Sequence, residues 1–129
     1  MDLGLVLLAL PICVADCSSF VIPNVYNRIL LCFSCLHLAI YGLGDLDKVA
    51  LSALLLLILL MFGLGMGDIK LLALILITYS FSAIDYLCFV LLCALVHIVV
   101  LAGVSHKIPS KIPLAPSIFI GLATYLATR

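Results

Sequence analysis

The chain has 129 residues, of which 67% are hydrophobic and only 9% charged, with six basic residues balancing six acidic ones. A soluble domain of this length needs far more polar surface to stay dispersed, so the composition points to an integral membrane protein. It also lacks the clustered Lys and Arg that grip nucleic-acid phosphates, which excludes that class of partner.

Charges and prolines cut the sequence into apolar lengths, to be measured against a hydrocarbon core that takes about 20 helical residues to cross. Six spans are expected, near residues 2–20, 28–44, 49–66, 68–85, 86–104 and 113–128. The predicted fold is all-α: a bundle of about six transmembrane helices in a single membrane-embedded domain over residues 1–129. The first span reads as retained rather than as a secretory signal, because Asp2 stands where a basic region belongs. Thirteen uncharged residues separate Asp2 from Asp16, which places Asp16 close to the membrane surface.

The second span contains Cys32-Phe33-Ser34-Cys35, the spacing of a zinc or redox pair, but no second pair follows in a polar loop. The six cysteines fall mostly in apolar runs and read as small packing residues, so neither a metal nor another cofactor is expected. The third span ends a run of nineteen uncharged residues, Val49 to Gly67, on Gly65-Met66-Gly67-Asp68. A carboxylate at the membrane boundary is costly and marks a functional site by default, and the two glycines allow a turn or a close approach.

In the fourth span only fourteen uncharged residues, Leu71 to Ile84, lie between Lys70 and Asp85. Crossing with so few draws Asp68 and Asp85 toward the hydrocarbon, thins the bilayer, or makes Lys70 snorkel outward. His37 and His97 lie within apolar spans and read as hydrogen-bonded helix residues. His106, in Ser105-His106-Lys107-Ile108-Pro109, belongs to a solvated turn.

With the N-terminus outside, Arg28, Lys70, Lys107 and Lys111 face the cytoplasm and Lys48 and Arg129 face outward, as the positive-inside rule favours. The same parity puts Asp16 and Asp68 on the cytoplasmic face and Asp2, Asp45, Asp47 and Asp85 on the outer one. The chain contains no glutamate, so the inner face holds two carboxylates and no others.

Two carboxylates brought together there form the minimal equipment of an aspartic protease, in which an ionised acid activates water and a protonated one polarises the scissile carbonyl. Like charges sharing a site resist double ionisation, so such a pair holds one proton and titrates as a unit. For Asp68 alone the bland reading is a helix N-terminal carboxylate capping free N–H groups; for Asp16 alone it is a solvated span end. Cys17, Ser18 and Ser19 are conceivable nucleophiles, but that face offers no histidine base except His106.

The surroundings of both acids sharpen the reading. Asp16-Cys17-Ser18-Ser19-Phe20-Val21-Ile22-Pro23-Asn24 resembles the aspartate followed by an Ile/Leu-Pro-Asn/Asp turn of type IV prepilin peptidases. Gly65-Met66-Gly67-Asp68-Ile69-Lys70-Leu71 resembles that family's Gly-x-Gly-Asp motif with a Lys two residues on. Ile112-Pro113-Leu114-Ala115-Pro116 looks like the Pro-hydrophobic-Ala-Pro that opens the family's last helix. In order and spacing the three cover nearly the whole chain, and the likeness is to the short, peptidase-only members serving tight-adherence or Flp-type pili.

The resemblance implies that Asp16 and Asp68 are the catalytic pair, that Gly65 and Gly67 let backbone approach the site, and that Pro23 and Asn24 shape the turn behind Asp16. Lys70 matches a common motif position and needs no role beyond interfacial anchoring. The implied partners are membrane lipid and a prepilin whose short basic leader stays in the cytoplasm of a bacterial cell while its hydrophobic helix enters the inner membrane. Cleavage after a glycine at that junction follows. The chain departs from the pattern in having Cys17-Ser18-Ser19-Phe20-Val21 where relatives often carry basic residues. It also lacks the cysteine-bearing soluble domain of bifunctional relatives, so methyltransferase activity is not expected. A rival from another class is a small transporter or channel component that binds a proton or cation at Asp68.

Overall fold

The computed structural model describes residues 3–20, 22–42, 44–79, 82–105 and 112–128. Asp2, His106, Lys107, Lys111 and Arg129, which entered the reading of the loops and orientation, lie outside the described residues. Among the described residues the fold is entirely helical: α1 (Leu3–Ser19), α2 (Asn24–Tyr41), α3 (Leu46–Met61), α4 (Met66–Tyr79), α5 (Ala83–Ser105) and α6 (Ala115–Ala127).

The helices match the six predicted spans in number and order but not at every edge. α2 starts at Asn24, four residues before the expected boundary at Arg28, because Pro23 supplies the N-cap and an exposed arginine does not interrupt helical hydrogen bonding. α3 stops at Met61, short of the expected residue 66, where Phe62 N–H bonds to the carbonyl of Ile58 and Gly63 takes a left-handed φ of 87°. The break is therefore made by Gly63, while Gly65 and Gly67 keep ordinary φ values. α4 ends at Tyr79, so Asp85 belongs to the first turn of α5 and not to the end of α4.

Length separates the helices. α5 is the one described helix both long and apolar enough to cross a membrane, over Ala83–Val104 with mean hydropathy 2.9. Only 17% of its most apolar stretch is buried inside the protein, so it is not the covered core helix of a soluble domain. The 14 residues of α4 rise about 21 Å at 1.5 Å each.

α4 sits between α2 and α3, α6 lies along α5, α1 touches α2 and α6, and α3 reaches α5. The central position of α4 shows in Leu71, Leu72, Ile75 and Leu76, each at most 2% exposed. Ile118 and Leu122 of α6, Tyr86 of α5 and Ile12 of α1 also belong to the core, and the Tyr86 hydroxyl donates to the carbonyl of Ile118 at 3.3 Å. α5 and α6 meet so closely at Gly121 that a Cβ there would stand 2.9 Å from Cα of Val90.

The core is mostly apolar, but the exterior is also far more apolar than that of a water-soluble bundle. Asp16, Asn27, Ser34, Ser52 and Ser117 are buried, whereas Leu10, Val14, Leu91, Leu95 and Val99 are more than half exposed. Just before α3, Asp45 holds the N-cap position without a side-chain capping bond and pairs with Lys48 at 2.6 Å. That hydrogen bond and charge hold the exposed Asp45 carboxyl below the usual carboxylate range.

Candidate active site

Asp16 lies in the last turn of α1 and is 4% exposed. Its Oδ2 accepts a hydrogen bond of 2.8 Å from the backbone N–H of Ala115, the first residue of α6. The first N–H groups of a helix have no intrahelical acceptor, so this carboxylate supplies one from across the molecule. Pro113 is buried and Pro116 follows as the second residue of α6, so the proline-rich segment starts the helix in front of Asp16.

Asp68 stands in the first turn of α4, immediately after the Phe62–Gly65 break. Its side chain lines the same cavity as Asp16. Its Oδ1 is buried with no hydrogen-bond partner among the described residues. An orphaned acceptor of this kind is rare in folded proteins and fits a group that waits for water or substrate.

The glycines act through proximity. A Cβ on Gly65 would come within 3.0 Å of Oδ2 of Asp68, and one on Gly67 within 3.4 Å of Cβ of Ile22. The first glycine leaves room for the carboxylate. The second lets α4 approach the Ile22-Pro23 turn that links α1 to α2.

These parts enclose one cavity of about 470 Å³. Asp16, Asp68, Pro23, Asn24, Gly65, Gly67 and Lys70, the seven residues singled out from the sequence, all line it. Cys17, Ser18 and Ser19 do not. The hydroxyls of Ser18 and Ser19 donate to the carbonyl of Ala15, at 3.1 and 2.7 Å. Cys32 and Cys35 are exposed on α2, away from this cavity.

Sequence reasoning missed four contributors. Phe20, Ile22 and Met66 also line the cavity. Phe20 occupies a left-handed φ of 53° just past α1, where its N–H bonds to the carbonyl of Asp16 at 2.8 Å. Such a φ on a bulky residue is an outlier, and outliers of this kind gather at functional sites. The fourth is the Ala115 N–H. A proline pair opening an apolar run marks a helix start, but nothing along the chain says that its free donor faces Asp16.

Comparison with protein-family models, with curated proteins and with solved structures finds no match to this chain.

Proposed function

We propose that the chain is a polytopic membrane protein acting as an aspartic endopeptidase, which removes the short leader of type IV, Flp-like prepilins at the cytoplasmic face of the bacterial inner membrane. The observation that carries this reading is the shared cavity: two aspartates on different helices, with Pro23, Asn24, Gly65, Gly67 and Lys70 around them. The apolar exterior of the bundle supports the membrane setting, since scattered exposed apolar residues are ordinary but a largely apolar exterior is not.

In the proposed mechanism one carboxylate is ionised and removes a proton from a water held between Asp16 and Asp68. The other is protonated and hydrogen-bonds the scissile carbonyl oxygen. Attack gives a tetrahedral diol, and proton donation to the amine completes cleavage without a covalent intermediate. The Ala115 N–H fixes Asp16 in orientation, and the unpartnered Oδ1 of Asp68 is left to bind water or substrate.

Co-expression with a candidate prepilin, followed by gel shift of the leader, tests the reading. Wild type is expected to process the precursor, and Asp16→Asn and Asp68→Asn each to lose about 100-fold or more in rate. Normal processing by either amide variant would overturn the two-acid mechanism. Loss of ion flux in the same variants, without any processing, would favour the transporter.

A further inference from the structure

Beside the candidate active site lies a second cavity, of about 430 Å³, between the first two turns of α2 and the middle of α4. Asn24 and Lys70 belong to both cavities, whereas Asn27 and Arg28 line only the second. Asp16 and Asp68 line only the first, so the side chains around the second are cationic on balance. Neither Arg28 nor Lys70 forms a salt bridge among the described residues.

Asn27 gives the cavity its chemical demand. It is 7% exposed, and both Nδ2 and Oδ1 are buried without a hydrogen-bond partner among the described residues. A carboxamide in that state needs an acceptor for its N–H groups and a donor for its oxygen. Below it, Leu31, Ala73 and Leu74 provide an apolar wall running along α2 and α4.

We infer that this cavity binds the headgroup of an anionic phospholipid whose headgroup alcohol bears a free hydroxyl, as in phosphatidylglycerol. The phosphodiester meets Arg28, Lys70 and the Asn27 amide N–H, the hydroxyl donates to the Asn27 oxygen, and the acyl chains follow the apolar wall. A choline headgroup brings a cation toward two cations and has no hydroxyl to donate. A basic leader peptide is repelled by the same pair. The inference rests on the membrane setting proposed above and not on peptidase activity.

The test uses the purified full chain in detergent with dioctanoyl phosphatidylglycerol or dioctanoyl phosphatidylcholine, retention being read by native mass spectrometry. Wild type is expected to prefer the glycerol lipid, and Arg28→Gln, an exposed change, to lower that preference roughly fivefold. Asn27→Leu keeps the volume and removes the unmet polar atoms, so it is expected to fold and also to lose preference. Equal retention of the two lipids by wild type, or an unchanged preference in Arg28→Gln, would overturn the inference. So would displacement of the lipid by millimolar inorganic phosphate, which would make the site one for the free anion, or by a leader peptide, which would assign the cavity to substrate. Leader removal is scored separately: lost cleavage with retained lipid preference supports the lipid site while sinking the peptidase, and the reverse sinks the lipid site alone.

Discussion

On the proposed function Asp16 combines a chemical and an architectural role, and substitutions can part them. Asparagine keeps an oxygen that accepts the Ala115 N–H, whereas alanine leaves that buried donor without a partner. Asp16→Asn is therefore expected to unfold close to wild type while failing to cleave, and Asp16→Ala to lose a further 1 kcal/mol or about that, as for a lost helix cap. Thermal unfolding of both variants in one detergent checks this. Gly65 makes a separate case, because a methyl there would crowd Oδ2 of Asp68 at 3.0 Å. Gly65→Ala is expected to slow leader removal about tenfold or more by displacing the carboxylate, with stability changed by under about 1 kcal/mol. A parallel loss of stability would show instead that the glycine serves folding. Both acids were legible in the sequence, because a carboxylate beside apolar runs stands out and the glycines before Asp68 need a reason. Asn27 was not, since its meaning depends on partners missing in space, which no local pattern encodes.

At the scale of elements, hydrophobic run length found six helices but misplaced several ends. The charges of Arg28 and Asp85 suggest boundaries, yet each residue lies inside the first turns of a helix. Backbone chemistry sets the ends instead: proline at 23 and a left-handed glycine at 63. The pairing of helices was also hidden. That α4 would stand between α2 and α3, and α6 along α5, follows from side-chain shape over the whole bundle and not from the apolar pattern of any one run. Gly121 reports such a contact, and Gly121→Ala is expected to push α5 from α6 at a cost of about 1–3 kcal/mol, measured as a lowered unfolding midpoint in detergent. An unchanged midpoint would mean that the two helices separate without strain.

For the molecule as a whole, the balance of inside and outside is what composition predicted: the apolar majority is too large to bury, so much of it faces outward. Placement in a membrane with the N-terminus outside has a direct check. In a chain freed of its six cysteines, cysteine restored in place of Ser18 is expected to resist an impermeant thiol reagent added to intact cells, while cysteine in place of Asp45 reacts. Labelling of both from outside would reverse or break the proposed topology.

The bond from Ala115 to Asp16 also bears on biosynthesis. Translation delivers Asp16 early and its partner donor late, so a growing chain carries the first acid long before the last helix arrives to aim it. Until α6 docks, Asp16 lacks the donor that orients it, and on the proposed function that delay would spare the cell from indiscriminate cutting by half-made copies.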